Sequence, residues 1–593
     1  MRPRAFFFLA ICATCVSAHA QLRIATWNIS FYSGGRVPDI QTTVFGAFEG
    51  RSMSPDVLLT QEILSTTAMN TFLGALNSAP GSSGTWAAGP FIDGNDTDGA
   101  IFYRSDRLTF EGATVVSTGG GAPLPPRNTV RYDVRLKGFL GVGPKVALYN
   151  CHMKSGSTSS DVSRRLAEAF AVRNNAQALT GFDGFAIAGD FNTPASSDDA
   201  YDKLIGSESN NAGRFYDPIS TPGNWNNNSA FRYVHTQDPS ANGGMDSRFD
   251  FLLLSNSLTN GAGFDYIGAF GVPYSTTSWN DMNHSYRAWG NDGTSYGQTL
   301  TVSGNAMVGS AIAQAIKNAA TASGGHIPVF LDLRAPAELG VSTNTLDFGN
   351  VVQGSAASLP VMVTNTTDPV IWRTGIANLL YTLSSTAGFT APAGTFTDPA
   401  GGVGNNHQIS VDTSSLGPKS GTLTVAGEGS RAISLIANVI PDMIAPTSMS
   451  LSIANLVSGG ILELASSDDQ RVNWRNANWY TGGRLSPVAE LEVVGTSSLQ
   501  NPTSLTFELE ASTAGSFSQE IRLYDFVASQ FVLVSTTNST PFDSTVVANA
   551  PNPARFVQAG TKQMKARVTL TPSSWSLGRV LTGGFDRAVW KPR

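Results

Sequence analysis

From Leu22 onward, short apolar runs alternate with stretches of helical periodicity. Residues 22–27 read as a strand ending at Asn28, and residues 56–60 as another ending at Gln61-Glu62. Over 64–76, the spacing of Leu64, Met69, Phe72, Leu73 and Leu76 predicts a helix. Strands follow at 100–103 and 130–136, and a third at 146–150 runs into Cys151-His152. Residues 161–179 read as an amphipathic helix with Val162, Leu166, Ala169 and Phe170 on its buried face and Gly181 as a stop. The run 185–188 then predicts a buried strand whose polar end is Gly189-Asp190-Phe191-Asn192. Residues 248–254 form a strand containing Asp250, 275–303 an ordered loop, 306–320 a helix and 327–333 a closing strand.

The pattern changes after Pro336. Helical periodicity nearly disappears, and alternating runs at 344–349, 361–365, 422–425 and 432–439 read as short strands up to Pro441. About a hundred residues of this kind suit an immunoglobulin-like sandwich. A second all-β unit follows, with strands at 505–509, 521–526, 531–534 and 566–570. Trp474, Trp479 and Tyr480 are either a sugar platform or, the preferred reading, aromatic core.

Composition adds class and compartment. The 593 residues are 41% apolar and only 14% charged, with 60 Gly and 30 Pro, which favours several turn-rich domains over long solvated helices. A net charge of -6 gives no general attraction to a polyanion, although local basic groups and a metal can still bind phosphate. Arg2 and Arg4, the apolar 6–11 and Ala18-His19-Ala20 read as a secretory signal too short to span a bilayer. Cleavage there leaves Cys151 as the one cysteine of an exported chain, which excludes an internal disulfide and a cysteine metal site.

The strand ends carry the chemistry. Asn28, Glu62, His152, Asp190 with Asn192, and Asp250 lie in or just beyond apolar strands, and His326 precedes one. In α/β sheets functional groups collect where strands meet loops. Phosphodiester hydrolysis needs a cation to offset charge, a base for water, and donors for the developing oxygens. Glu62 suits the metal, and the carboxylate of Asp190 suits a hard cation, while the Asn192 amide can hold water or a phosphate oxygen. His326 is the expected general base, its imidazole oriented by Asp250. His152 is either a donor to phosphate or a core histidine. Arg127 and Arg131, after the turn at 123–126, are either phosphate forks or members of a solvated strand face.

In this order the motifs Thr26-Trp27-Asn28, Gln61-Glu62, Asn150-Cys151-His152, Gly189-Asp190-Phe191-Asn192, Arg248-Phe249-Asp250 and Ser323 to Val329 resemble those of the endonuclease/exonuclease/phosphatase superfamily. The resemblance covers about residues 22 to 334. It implies an α/β four-layer sandwich, two central sheets flanked by helices, and metal-dependent phosphoester hydrolysis with Mg2+, or Mn2+ or Ca2+. On that analogy Asn28 and Glu62 belong to the metal site, and Asp190 and Asn192 position water and phosphate. The family pattern has aspartate where this chain has Gly325, which removes a usual metal ligand. The loop pair Asp281 and His284 offers a rival acid and base, and Asp281 a replacement oxygen. Leu346-Asp347-Phe348-Gly349 through Gly354 and Asn365 is similar to the immunoglobulin-like repeats of bacterial surface and cilia-associated proteins.

The expected organisation is a signal peptide (1–20), a catalytic domain (21–335) and two all-β sandwich domains (336–441 and 442–593). The expected activity is that of a secreted or periplasmic metal-dependent nuclease without a transmembrane segment, its partners nucleic acid or another phosphodiester and, for the β domains, a surface, glycan or protein. Two alternatives remain: a phospholipid phosphodiesterase or phosphatase, for which the aromatics Trp279, Tyr286 and Trp289 speak, and an adhesion protein with a degenerate catalytic domain.

Overall fold

The computed structural model describes residues 21–240, 243–320, 325–372, 375–476, 480–481, 484–574 and 580–593. The expected signal, Ser323-Gly324 and Trp479 lie outside the described residues, as does the Tyr480 side chain.

The N-terminal unit contains strands β1 (Leu22–Tyr32), β2 (Val57–Ile63), β3 (Trp86–Ala88), β4 (Asp98–Arg104), β5 (Leu108–Ser117), β6 (Thr129–Leu136) and β7 (Lys145–His152). It continues with β8 (Gly184–Asp190), β9 (Phe215–Tyr216), β10 (Asp250–Ser255), β11 (Asp265–Tyr266), β12 (Arg287–Ala288) and β13 (Val329–Arg334). Its helices are α1 (Val37–Phe45), α2 (Thr66–Ser78), α3 (Ser159–Gln177), α4 (Asp199–Ile205) and α5 (Gly309–Ala319). One sheet has the order β11-β13-β1-β2-β4-β3, with β12 beside β13, and the other β5-β6-β7-β8-β10-β9.

Strand alternation sorts side chains between three cores. Leu22 and Ile24 of β1 meet Val146 and Leu148 of β7 between the sheets. Ala25, Trp27 and Ile29 point the other way, onto α1, α2 and α5 residues such as Ile40, Phe72 and Ile312. On the far side of the second sheet, Tyr149 and Ile187 pack with Val172 of α3 and Leu204 of α4.

Helix α3 differs from its expected face. Phe170 is exposed, whereas Arg165, Glu168 and Arg173 are buried. Arg165 pairs with Asp198 at 2.6 Å, and Arg173 donates to the carbonyls of Lys203 and Gly206. The helix is therefore fixed partly by paired charges, which hydrophobic periodicity does not register. Its start is set by a reciprocal cap between Thr158 and Asp161.

Behind this unit are two pairs of β-sheets. A four-stranded and a five-stranded sheet enclose Val361, Leu379, Ile409, Leu423 and Leu435. Two further five-stranded sheets enclose Leu491, Phe507, Ile521, Val568 and Trp590. Trp474 is buried in that last core, which removes it from a sugar platform. The first pair is docked on the N-terminal unit through Trp372, whose indole N–H donates to the Lys137 carbonyl at 2.6 Å. Arg107 stacks on the Trp372 ring, donates to the Ile371 carbonyl and pairs with Asp56 at 2.7 Å.

Candidate active site

Register brings the predicted residues together. In the second sheet β7 runs parallel to β8 with His152 opposite Asp190, and β10 runs antiparallel with Asp250 opposite Asp190. Three functional side chains therefore lie across three adjacent strands. Gly189 makes this possible: a Cβ there would stand 1.9 Å from the Cys151 carbonyl oxygen, and its φ is +147°. In the first sheet, Asn28 of β1 faces Gln61 of β2, beside Glu62. Regular pairing breaks between Asn28 and Tyr32, where Ser30, Phe31 and Glu62 have positive φ. Such a local break re-aims side chains. It turns the Phe31 N–H onto Glu62 Oε2 at 2.7 Å.

Asp190 Oδ2 is the meeting point. It accepts from Asn28 Nδ2 at 3.1 Å and lies 3.4 Å from His152 Nε2 and 3.5 Å from His326 Nε2. Glu62 Oε1 is 3.1 Å from the same Asn28 nitrogen and 3.9 Å from His152 Nε2. Asp190 Oδ1 accepts the Asn192 N–H at 3.0 Å, and the Asn192 amide donates to the Met153 carbonyl. His326 Nδ1 is 2.7 Å from Asp250 Oδ2. Thr236 Oγ1 donates to that oxygen at 2.6 Å, and Trp27 holds the His326 carbonyl.

The electrostatics follow from this burial. Desolvation alone would lower His326, but Asp250 and Asp190 outweigh it and push its pKa up to about 10. Burial raises the Asp190 carboxyl, with Asp250 and Glu62 adding to the effect. His152 is held well below the usual histidine range by burial, Arg127 and His326, so it is a neutral imidazole. Its Nδ1 has no partner among the described residues.

Asn28, Glu62, His152, Asp190, Asn192, Asp250 and His326 are thus one constellation, in which Asn28 bridges the two carboxylates. Its amide nitrogen faces the two carboxylates, while its oxygen accepts the Ser30 N–H at 3.1 Å. The hard oxygen donors presented here are Glu62 and Asp190, and both suit a divalent cation.

The two expected phosphate arginines separate. Arg127 lies close enough to His152 to lower its pKa, and pairs with Asp96 at 3.0 Å. Arg131 does not reach the site: it is bound to Asp133 and Asn175 and stacks on Phe182, on the face of β6 turned to α3. Alternation along β6 sends it away from the mouth.

Asp281 and His284 also lie elsewhere. Asp281 caps its own loop through the Ser275 and Asn283 N–H groups, and His284 is 3.2 Å from the Tyr266 hydroxyl. Asp281 therefore supplies no oxygen in place of the one Gly325 lacks. A Cβ on Gly325 would meet Ala320 at 2.9 Å, so the backbone leaves no room for a side chain there. Tyr286 and Trp289 are buried, whereas Trp279 stays partly exposed beneath Arg51, so of the three aromatics that speak for a lipid substrate only Trp279 is accessible.

Three residues of the support were not anticipated. Thr236 sits in a loop whose sequence has no periodic signal. Gln61 donates to Asn150 Oδ1 at 2.7 Å, and Asn150 donates to the Thr60 and Ala100 carbonyls, linking the two sheets beneath the site. The positions of Gln61 and Asn150, each one or two residues before a functional group, were the available signal.

The profile of the Endonuclease/Exonuclease/phosphatase family matches residues 25–269. This segment is a phosphoester-hydrolase domain of that type, and the chain is an enzyme. Enzymes of the family generally depend on a divalent metal. Among solved structures, an endonuclease/exonuclease/phosphatase from Beutenbergia cavernae DSM 12333 is 12% identical, with 70% of this chain and 100% of that one covered and a TM-score of 0.28. D. rerio TDP2 complexed with a single-strand DNA product is 13% identical, over 53% of this chain and 100% of that one, with a TM-score of 0.31. The human Nocturnin catalytic domain with bound sulfate is 13% identical, over 53% and 94%, with a TM-score of 0.27. No curated protein matches the chain.

Proposed function

We propose that this is an exported, divalent-metal-dependent phosphodiesterase acting on nucleic acid, with a helix–sheet–sheet–helix catalytic domain at 21–335. The convergence of two imidazoles and one amide on Asp190 Oδ2, with the Glu62 carboxylate alongside, carries this reading. Glu62 and Asp190 would hold the cation, of the Mg2+ class. Bound there, it supplies positive charge to the phosphate and to the oxygen that leaves.

The chain's own groups do the proton chemistry. Asp250 fixes the Nδ1–H of His326, leaving Nε2 to take a proton from water. Neutralising Asp190 and Glu62 removes two of the charges that hold the imidazole up, so it can act as a base nearer neutral pH. His152 and Asn192 would steady phosphate oxygens, and Arg127 would balance charge at the edge. Phe31, 59% exposed and bonded through its N–H to Glu62, offers a ring on which a base can stack. The first sandwich, immunoglobulin-like at 336–441, and the second at 442–593 are read as modules that contact a surface, glycan or protein.

The test is hydrolysis of plasmid DNA, bis(p-nitrophenyl) phosphate and sphingomyelin vesicles by the full chain, with Mg2+ and with EDTA. DNA cleavage that requires the metal supports the proposal. Preferential turnover of sphingomyelin overturns the substrate class, and no metal-dependent turnover of any of the three overturns the mechanism.

A further inference from the structure

A second cluster of carboxylates lies in the last sandwich, where the strands Leu505–Thr513 and Leu581–Pro592 pair out of step. Phe585 faces Ala511 and Arg587 faces Glu510, so Asp586 is the extra residue of a bulge. It is only 1% exposed. Its Oδ2 accepts the Asp469 N–H at 3.3 Å, the Asp468 N–H also favours its charged form, and its Oδ1 has no hydrogen-bond partner among the described residues. Asp469 reaches it from the turn before Val472–Asn476, where its own φ is 63°. Asp543 comes from the residue before Ser544–Asn549, and its Oδ1 is also buried without a partner.

Oxygens from these three carboxylates lie within 4.8 Å of one another. Calcium–oxygen distances of about 2.4 Å give a coordination sphere about 4.8 Å across, so the three can share one ion. Arg471 bridges Asp469, at 2.8 Å, and Asp543. Three carboxylates against this one guanidinium leave two negative charges. Arg587 does not cancel them, since it faces Glu508 at 3.5 Å and Glu510 at 3.9 Å. Glu510 instead adds repulsion on Asp586.

We propose that Asp469, Asp543 and Asp586 form a binding site for a hard divalent cation of the calcium type, separate from the catalytic centre. The buried oxygen of Asp586 and the two uncompensated charges define the ligand. The ion would tie the entries of the strands at 472–476 and 544–549 to the bulge in 581–592, which makes it structural.

The experiment is calcium titration of the full chain by calorimetry, with thermal unfolding in EDTA and in Ca2+. Wild type and Glu62→Gln should both bind calcium here and melt several degrees higher with it. Asp586→Asn should lose the calcium-dependent rise and should melt higher than wild type in EDTA, because an amide relieves the repulsion. Should Asp586→Asn not fold, Asp543→Asn, at a less buried position, is expected to lose the same rise. Absence of calcium binding in wild type would show that Arg471 alone satisfies the cluster. Calcium stabilisation that survives Asp586→Asn and Asp543→Asn but vanishes in Glu62→Gln would place the ion in the catalytic centre. Either result overturns the proposal.

Discussion

Replacing Asp250 by Asn tests the base assignment most directly. The carboxylate lies 2.7 Å from His326 Nδ1 and is fully buried. Together with Asp190 it lifts the imidazole pKa from 6.5 to about 10 against desolvation. That rise amounts to about 5 kcal/mol of preference for the charged ring, at 1.36 kcal/mol per unit. Asparagine keeps the shape but removes the charge, and its amide can offer a hydrogen to Nδ1. The ring then carries its proton on Nε2, where water should be deprotonated. General-base catalysis is typically worth about 10²–10⁴-fold, so kcat on bis(p-nitrophenyl) phosphate should fall by that order. The pH profile gives an independent reading. Activity needs neutral His326 and rises with pH; without the Asp250 charge the ring loses protons more easily, so the rising limb should shift to lower pH. Asp250→Asn activity within tenfold of wild type, with the limb unmoved, would refute the pairing as the catalytic device. Thr236→Val, which removes the 2.6 Å bond to Asp250 and the acceptor of the Phe249 and Asp250 N–H groups but keeps the carboxylate, should cost less.

Other expectations concern placement and stability. Arg131→Ala should leave metal-dependent hydrolysis within twofold of wild type, while Arg127→Ala should lower it, as initial rates on DNA will show. Gly189→Ala forces a Cβ onto the Cys151 carbonyl and should lower both the melting temperature and the soluble yield. His235 is buried and its pKa is lowered to about 4, so the folded chain resists its protonation. Its contribution is complete above the unfolded value of 6.5 and falls as pH drops toward 4. Over that window it should remove about 3 kcal/mol of unfolding free energy, a slope that His235→Phe should flatten in urea titrations at pH 4 to 7. Trp372→Ala should destabilise the chain by about 3–5 kcal/mol, read as a lower urea midpoint.

The site was legible because its members follow apolar runs, and a two-residue side-chain period fixes which face they take. Asp190, His152 and Asp250 needed only a strand and an end. Element edges were less legible: β1 runs on to Tyr32, because residues 29–32 continue the strand past Asn28. Strand β5 was not anticipated, since its exposed and partly buried positions break a simple apolar pattern. Helix α3 hid its burial behind Arg165, Glu168 and Arg173, whose partners lie on other elements. Arg131 failed for a related reason, since sequence proximity to the turn said nothing about which face of β6 it occupies. The nitrogen-first orientation of Asn28 depends on a turn at Ser30 and Phe31 with positive φ, a conformation that neither residue type announces.

The docking of Trp372 has a consequence for reach. Lys137 and Arg107 stand just beyond Leu136 and just before Leu108, residues paired at one end of β5 and β6. Thr129, at the other end of β6, pairs with Ser117, and its neighbour Val130 faces Asn150, two residues before His152. Eight residues of strand span about 25 Å, so the first sandwich is docked a full strand length from the catalytic mouth. Under the proposed function, a long phosphodiester polymer would reach the mouth without meeting the first sandwich.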